Sequence, residues 1–458
     1  MTTPAAAGSV AIVGGGWAGC AAAVTLAQAG RPVTLFEQAA TLGGRARRVA
    51  VGGASVDNGQ HLLIGAYRQT LDLIAAVHGA DRTGALLHRL PLTLAPFGST
   101  PHGPVAMRAW RAPAPLHLAA GIATARGLSV RERIALIGAF RRLARAGFRT
   151  PPLQTVAQCF AGTPARAMDG LWSPLCLAAL NTAPERASAQ VFANVLREAF
   201  AGNAAASDFL IPATDLSALF PDAAARFVAA RGGEIRTSAA VRRLRHASTC
   251  VTLHTSRGEE RFGSVIVAVG PHQLAGIVGE AADDGAACAP WADALKQVRA
   301  FAYESITTAW LAYAAPVPLP APISRLDDAP GQWVFERSSA LAGGDPRGAR
   351  SLLAVVISAG GAHDALDHAT LAAQIDAQLR RLAPALPPLA WSRIIAERRA
   401  TYACTPALPR PAAGRVAPGL YLAGDYTAGP LPPTLEAATR SGVGAARAVL
   451  AELAMQGR

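Results

Sequence analysis

Near the start of the chain, short runs of apolar residues are separated by glycines. Residues 10–13 form an apolar run, and three glycines (14–16) follow it directly. Small, mainly apolar residues from about Trp17 to Gln28 are typical of a buried helix, which Gly30 is placed to end as a C-cap. Residues 32–37 have the pattern of a second strand. Together these segments predict a βαβ unit.

The rest of the chain falls into blocks with different patterns. One block is helical with proline-rich breaks, and a later block mixes strand and helix patterns. Strands that rejoin the first domain are predicted at 232–244 and 261–269, a short apolar strand is predicted at 420–422, and a last helix is predicted from Thr434 to about Leu453.

This organisation predicts an α/β fold with two domains. A Rossmann-like nucleotide-binding domain is expected to take residues 1–80, 210–275 and 395–458. A discontinuous substrate domain of mixed α+β structure is expected to take residues 81–209 and 276–394. With 458 residues, of which 51% are hydrophobic, the chain is large enough for two cores.

A glycine motif, Gly14-x-Gly16-x-x-Gly19, lies between the first predicted strand and the first helix. Its first glycine permits the tight turn, the second lets the backbone approach a pyrophosphate, and the third lets helix and strand pack closely. The helix N-terminus offers free N–H groups to the phosphates. Glu37 follows about 20 residues later, where a carboxylate can bind ribose hydroxyls. The motif predicts a dinucleotide but leaves NAD and FAD open.

Two further motifs favour FAD. Gly43-Gly44-Arg45 suits a chain that runs along the flavin side of the cofactor, with the arginine paired to a phosphate or orienting a carbonyl. Gly424-Asp425 follows an apolar strand, and its carboxylate can accept hydrogen bonds from ribityl hydroxyls. Thr434 can N-cap a helix beginning at Leu435, whose N-terminus would stabilise negative charge on reduced flavin.

The net charge of the chain limits the kinds of binding partner that we expect. A net charge of +13 is compatible with binding to nucleic acid, an anionic membrane or an anionic substrate, but we find no helix-turn-helix, zinc-finger or RNP pattern and expect no nucleic acid.

The six cysteines are scattered and form no metal-ligand spacing, so we expect reduced thiols and no metal. No apolar run reaches the roughly 18–20 residues of a membrane span, and no signal-peptide pattern is present. We therefore expect a cytoplasmic protein.

Several motifs make the chain similar to a known superfamily. VAIVGGGWAG (10–19), LGGRAR (42–47) and YLAGDYT (421–427) resemble the flavin amine oxidases and carotenoid desaturases. DNGQH (57–61) and WSPLCLAALNT (172–182) resemble, more narrowly, the squalene-associated FAD-dependent desaturases, or hydroxysqualene dehydroxylases. One departure is GPLPPT (429–434), which replaces the family's more usual Trp/Leu-Pro-Ala-Thr before the last helix.

The resemblance implies FAD as cofactor and reductive removal of the hydroxyl group of hydroxysqualene, which gives squalene for hopanoid synthesis. It also implies a lipophilic isoprenoid substrate and places the backbone of Val241 against the adenine. Because no second GxGxxG loop follows a strand, electrons are expected from the substrate, a separate reductase or a diffusing reductant. The residues expected to bind the cofactor are Gly14, Gly16, Trp17, Ala18, Gly19, Glu37, Gly43, Gly44, Arg45, Gly59, Gln60, Val241, Gly424, Asp425, Thr434 and Leu435.

This chemistry needs an apolar tunnel and an acid that protonates the leaving hydroxyl. His61 is the leading candidate, since histidine is protonable near neutral pH, and a hydrogen bond to backbone or cofactor is its alternative role. Cys176 and Asn181 are expected to line the substrate cavity, as is Tyr67, for which simple packing is the alternative.

Other interpretations stay open at this point. The same scaffold serves desaturases, which transfer hydride from a hydrocarbon to FAD, amine oxidases, and a lipid-binding protein that retains FAD structurally. The segment 131–149 places arginines largely opposite an apolar helical face, and such a helix either lies on an anionic membrane or packs on the core as a solvated helix. A peripheral contact with the inner face of the membrane is therefore a further expectation.

Overall fold

The computed structural model describes residues 8–51, 54–98, 105–247, 250–278, 289–341 and 343–456. Its strands are β1 (Val10–Val13), β2 (Val33–Phe36), β3 (Arg48–Val51), β4 (Ala54–Asp57), β5 (Leu63–Ile64), β6 (Leu87–Leu90), β7 (Thr93–Leu94), β8 (Met107–Arg108), β9 (Phe209–Pro212), β10 (Glu234–Arg236), β11 (Val241–Ala247), β12 (Cys250–Thr255), β13 (Gly258–Phe262), β14 (Ser264–Val267), β15 (Tyr303–Tyr313), β16 (Ile323–Arg325), β17 (Trp333–Glu336), β18 (Ser351–Ser358), β19 (Leu389–Tyr402), β20 (Gly414–Ala417) and β21 (Leu420–Leu422).

The helices in the same ranges are α1 (Trp17–Gln28), α2 (Arg68–His78), α3 (Thr83–Leu86), α4 (Leu116–Ala123), α5 (Val130–Arg145), α6 (Val156–Cys159), α7 (Ala165–Ala167), α8 (Ser173–Leu180), α9 (Ala189–Phe200), α10 (Leu216–Leu219), α11 (Pro221–Ala229), α12 (Pro271–Val278), α13 (Ala289–Arg299), α14 (His368–Leu382) and α15 (Leu435–Gln456). A π-helical turn, Met168–Trp172, leads into α8. None of these helices is long and apolar enough to cross a membrane.

Both ends of the chain contribute to one six-stranded sheet with the order β10-β2-β1-β14-β21-β20. Neighbouring strands are parallel except β20, which is antiparallel to β21. Every residue of β1 and β14 is buried, as expected of a parallel sheet covered on both faces. This sheet confirms the α/β fold, and β1, α1 and β21 have the predicted bounds.

The segment 232–244 differs from its prediction as one strand. It forms β10 in the six-stranded sheet and then β11, which belongs to a separate antiparallel sheet with β12 and β13. Ser238 lies between them with φ of +50°, a left-handed conformation that no continuous strand contains. The chain therefore turns at Ser238 and leaves the first sheet.

Helices α1 and α15 pack so closely that backbone atoms of one helix lie next to backbone atoms of the other. A Cβ atom added to Gly442 would lie 2.1 Å from the carbonyl oxygen of Ala18, whereas one added to Gly444 would meet nothing within 4 Å. Alanine and glycine dominate the buried part of α1, which explains how the helices approach so closely. The contact holds the last helix of the chain beside the first.

A second sheet, with the order β16-β17-β18-β15-β19, is antiparallel and carries the mixed α+β part. All eight residues of β18 are buried: Leu353, Val355 and Ile357 share one core with α14, and Leu352, Ala354 and Val356 belong to another core. The predicted domain boundary at 394/395 falls inside β19, whose residue Tyr402 still pairs with Tyr303 of β15. That boundary is corrected to follow Tyr402, because apolar periodicity does not show which sheet a strand joins.

Candidate functional site

The glycine motif forms a tight loop between β1 and α1. Gly14 has φ of +105°, and a Cβ atom there would lie 2.6 Å from the carbonyl oxygen of Ala268. A Cβ atom on Gly19 would lie 1.9 Å from the carbonyl oxygen of Gly14. Side chains are therefore excluded at both positions, and Gly19 acts through helix–strand packing and not as part of a cavity wall.

The N-terminus of α1 faces open space. Gly16 caps the helix without a side-chain hydrogen bond, so the first N–H groups of α1 are available to a ligand. A Cβ atom on Gly16 would meet nothing nearer than the Cα atom of Gly44, at 4.0 Å. Gly43 donates its N–H to the carbonyl oxygen of Gly15 at 2.8 Å, which holds the second glycine pair across this opening. A phosphate fits this combination of glycines and free donors.

Glu37 is fixed at the end of β2 by two backbone hydrogen bonds. Its Oε2 accepts the N–H of Gly15 at 2.7 Å, and its Oε1 accepts the N–H of Ala39 at 2.8 Å. The carboxylate is buried yet lies in the cavity wall. Each oxygen retains a lone pair, so the group can also accept hydrogen bonds from ribose hydroxyls.

An ion pair joins the two flavin motifs. Arg45 and Asp425, which are 380 residues apart in sequence, pair with an Nη2–Oδ2 distance of 2.6 Å. Arg45 also donates to the carbonyl oxygen of Ala400. Gly424 donates its N–H to Ser441 Oγ of α15 at 2.8 Å. The carboxylate of Asp425 is thereby held beside Gly43 and Gly44 in the wall of the same cavity.

The start of α15 is capped as predicted and tied to α2. Thr434 Oγ1 accepts the N–H of Ala437 at 3.2 Å. Glu436, fully buried, accepts the N–H groups of Gln69 and Thr70 at 3.1 and 2.9 Å. The carboxylate thus caps α2, and the residue before that helix, Tyr67, lies in the cavity wall beside Thr434.

One cavity of about 1010 Å³ brings these elements together. Its size lies at the upper limit of ordinary ligand sites, which leaves room for a large cofactor and part of a substrate. Its wall includes these predicted residues: Gly14, Gly16, Trp17, Ala18, Glu37, Gly43, Gly44, Arg45, Gly59, Gln60, His61, Tyr67, Asn181, Val241, Gly424, Asp425, Thr434 and Leu435.

The other portion of the cavity wall is apolar. Helices α8 and α9 supply one group of residues, strands β15 to β18 of the second sheet supply another, and β9 adds Phe209. We call this the apolar portion, and its members are Leu175, Ala178, Ala179, Phe192, Val195, Leu196, Phe200, Phe209, Ile306, Ile323, Trp333, Phe335 and Val356.

His61 lies in the cavity wall with one ring nitrogen in use. Its Nδ1–H donates to the carbonyl oxygen of Gly59 at 2.7 Å, and Nε2 has no hydrogen-bond partner among the described residues. Burial, with a smaller contribution from the positive charge of Arg45, lowers the pKa of His61 below its usual value. The ring is therefore mainly neutral at neutral pH in the free protein.

Asn181 lies in the wall, but its amide is fully engaged. It ends α8 in a left-handed conformation with φ of +48°. Its Nδ2 donates to the carbonyl oxygen of Ser305 and to Thr401 Oγ1, and its Oδ1 accepts the N–H of Ala359 at 2.6 Å. Asn181 thus fastens α8 to the second sheet.

Cys176 requires a correction. It is completely buried and lies outside the cavity wall, with Sγ 3.7 Å from the carbonyl oxygen of Thr182. The neighbours of Cys176 on α8, Leu175 and Ala178, face the cavity instead, because successive positions on a helix point in different directions.

Sequence reasoning missed the wall residues of the second sheet. Trp333 and Phe335 are two positions apart on β17 and share one face of the strand. The two-residue period of a strand could have shown that Trp333 and Phe335 lie on the same face. It could not have shown which face of the strand meets the cavity, because Val334 between them is buried as well.

The described residues fit FAD. The cradle of Gly14, Gly16 and Gly44 leaves no side chain in front of the N-terminus of α1. Gln60 Oε1 is buried in the wall with no hydrogen-bond partner among the described residues, so it can accept a ligand N–H group.

Comparisons with known proteins agree with this geometry. The family described as "Flavin containing amine oxidoreductase" matches residues 17–450. A hydroxysqualene dehydroxylase of Rhodopseudomonas palustris is 29% identical over 97% of this chain and 98% of its own length. One from Sinorhizobium fredii is 28% identical over 97% of this chain and 99% of its own. The solved structure of an oxidoreductase from Methanosarcina mazei is 16% identical and superposes with a TM-score of 0.69, covering 98% of this chain and 100% of that one.

The match to the family covers both flavin motifs and the segment between them. It includes the helix that faces the phosphate cradle and the strand and helix that carry Asp425 and Thr434. The chain therefore belongs to the flavin-containing amine oxidoreductase family and is an FAD-dependent oxidoreductase.

Proposed function

We propose that this protein removes the hydroxyl group of hydroxysqualene and produces squalene, in squalene and hopanoid biosynthesis. The observation that carries the proposal is the apolar portion, which is continuous with the wall formed by the flavin motifs. The two relatives named above support the same substrate, since both carry the name hydroxysqualene dehydroxylase and align over nearly their whole length.

The reaction consumes one proton and one hydride. The allylic C–O bond breaks, the oxygen leaves with the proton as water, and a new C–H bond forms. Reduced FAD, held by the residues of the glycine loop and the two flavin motifs, would supply this hydride. The side chains of the protein then have two tasks, to exclude water from the developing allylic cation and to deliver the proton.

The apolar portion suits the first task. A long hydrocarbon with one hydroxyl group needs an apolar wall with few polar groups. Phe192, Phe200 and Trp333 add aromatic rings whose faces can stabilise a cation. Glu198, which also lies in the wall, is neutralised by Arg440 through hydrogen bonds of 3.0 and 2.7 Å.

We assign the second task to His61. The hydrogen bond from Nδ1 to Gly59 orients the ring and leaves Nε2, which has no partner among the residues that the structure describes, available in the cavity wall. The lowered pKa makes the protonated ring a stronger acid but reduces its population at neutral pH. We therefore expect the rate of the chemical step to rise as the pH falls.

Replacement of His61 by alanine or glutamine tests this role. With flavin reduced in advance, we expect single-turnover reoxidation by hydroxysqualene to be much slower in both variants and to lose its pH dependence. His88→Ala, at an exposed position, is the matched control. An unchanged rate and pH profile in His61→Ala would assign His61 to structure alone.

The function itself is tested by product analysis. Purified protein, reduced with dithionite without oxygen, is incubated with hydroxysqualene, and the products are separated by gas chromatography. Squalene formed in proportion to the reduced flavin is the expected result. No squalene, together with bleaching of oxidised flavin by a polyprenyl hydrocarbon, would contradict the proposal and favour a desaturase that transfers hydride in the other direction.

A further inference from the structure

Residues 105–167 carry most of the excess positive charge of the protein. The segment contains ten arginines and one glutamate, a net charge of +9, whereas the whole chain has +13. It includes helices α4 and α5, which pack together. Its single acid, Glu132, is engaged in the capping box of α5 with Ser129.

The same helices expose large apolar side chains. Val130 and Ile134 in the first turns of α5 are 68% and 66% exposed, and Leu116 at the start of α4 is 61% exposed. Trp110, 56% exposed, lies along α4, since its N–H donates to the carbonyl oxygen of His117 and its Nε1 donates to Thr124 Oγ1. Arg133 joins the two helices by donating to the carbonyl oxygen of Ala123.

Helical spacing puts apolar and basic residues on one outer face of α5. Positions 130, 134, 141 and 145 are separated by near multiples of 3.6 residues and share that face. Val130 and Ile134 are followed there by the exposed residues Arg141 and Arg145. The opposite face, which includes Leu136 and Phe140, is buried.

The buried side of this helix pair adjoins the apolar portion of the cavity. Phe140 of α5 and His117 of α4 both contact Phe200, with ring centroids 6.3 and 6.2 Å apart. Phe200 itself lines the cavity. The inner side chains of the helix pair therefore contact a residue of the cavity wall directly.

We propose that the outer face of α4 and α5 docks on an anionic lipid bilayer and that the apolar portion takes its substrate from that bilayer. Exposed Trp110, Leu116, Val130 and Ile134 would enter the interface, and the arginines would contact lipid phosphates. Docking on the bilayer does not depend on the proposed function; only the identity of the lipid substrate does.

A membrane explains this surface better than a nucleic acid does. Phosphate backbones are bound by charge and need no exposed aliphatic side chains. Val130 and Ile134 lie in line with Arg141 and Arg145, which is the arrangement of a helix lying in a membrane interface.

Vesicle flotation with the full-length protein tests the docking without substrate. The wild type is expected to float with phosphatidylcholine vesicles that contain phosphatidylglycerol, to float poorly with pure phosphatidylcholine, and to detach as salt is raised. Arg141→Gln/Arg145→Gln should bind about 25-fold more weakly, at roughly fivefold for each basic side chain near an anionic surface.

Apolar contact is tested separately. Val130→Ser/Ile134→Ser should also weaken flotation, because the substitutions remove exposed aliphatic groups that would enter the bilayer interface. Matched controls are Arg243→Gln/Arg245→Gln, at exposed positions of β11, and Met455→Ser, an exposed apolar position of α15. Flotation that is equal in all variants, or that is lost equally in the controls, would overturn the proposal. So would tight binding of RNA that does not depend on Val130 and Ile134.

Turnover separates this proposal from the proposed function. With detergent-dispersed hydroxysqualene, the surface variants should match the wild type, whereas with substrate embedded in anionic vesicles they should be slower. Flotation without any squalene formation would refute the function and leave the docking intact. Squalene formation with equal rates for all variants on vesicles would refute the docking alone.

Discussion

Gly442 and Gly444 of α15 offer a matched pair of alanine substitutions with opposite expected effects. Gly444 is exposed, and a Cβ atom there would meet nothing within 4 Å. Alanine exceeds glycine in helix propensity by about 1 kcal/mol, so Gly444→Ala should stabilise the protein by that amount.

At Gly442 the same gain is outweighed by a clash. The new Cβ atom would lie 2.1 Å from the carbonyl oxygen of Ala18, whereas ordinary contacts begin at 3.4 Å, so α1 and α15 have to separate. Overpacking of this kind costs about 1–3 kcal/mol, and contact with rigid backbone favours the upper value. We expect a net destabilisation of about 2 kcal/mol, and a difference of about 3 kcal/mol between the two variants.

Thermal and urea unfolding of the apoprotein measure this difference, and titration with FAD measures its consequence for the site. Ala18 lies in the first turn of α1 and lines the cavity, so displacement of the helix should weaken FAD binding in Gly442→Ala and leave it unchanged in Gly444→Ala. Equal unfolding midpoints and equal FAD affinities for the two variants would refute the reasoning that backbone contact between α1 and α15 positions the phosphate cradle.

Three other substitutions test separate contacts. Arg45→Met should weaken FAD binding by about 1–3 kcal/mol in a fluorescence titration, since Asp425 loses its cation. The expected loss is smaller than for a fully buried ion pair because Arg45 is partly exposed to solvent. An FAD affinity equal to that of the wild type would count against a role for this ion pair. His117→Leu should stabilise the protein increasingly below pH 6.5, because burial lowers the pKa of the His117 ring in the folded protein, so the unfolded state takes up a proton more readily. His88→Leu is the control, and a gain independent of pH in urea unfolding would contradict this. Asn181→Ala should lower stability by about 1–3 kcal/mol in urea unfolding, because buried groups lose their partners, and wild-type stability would show that they re-pair.

The linkage for His117 has a definite sign. Its pKa in the folded protein lies below the unfolded value of 6.5. The unfolded state therefore binds more protons below pH 6.5, and the stability of the wild type falls as the pH drops through that window. Leucine removes this loss, so the advantage of the variant grows toward acid pH.

The cofactor end of the fold could be predicted because local rules determine it. Gly14 and Gly19 occupy positions where the structure excludes any side chain, and Asp425 follows a strand that has to end at the cofactor edge of a parallel sheet. The ion pair between Arg45 and Asp425 could not be predicted, because no periodicity links residues 380 positions apart.

The substrate end was harder to predict for a physical reason. Almost every residue of strands β15 to β18 is buried, so the alternation of apolar and polar residues does not separate the wall of the cavity from the core. Cys176 and Leu175 are adjacent and both apolar in character, yet only Leu175 lines the cavity. Asn181 resembled a substrate ligand, but its amide is needed to hold the end of α8.

The bridge between the two distant flavin motifs has a consequence for protein synthesis. A ribosome that adds roughly 5–20 residues per second takes roughly 20–80 seconds to reach Asp425 after it has made Arg45. For almost all of that time the nascent chain has the residues of the phosphate cradle but not those of β21, and throughout it lacks α15. Chains that are terminated before Asp425 should therefore fail to retain flavin, and the ratio of flavin absorbance to protein should fall as the fraction of truncated chains rises.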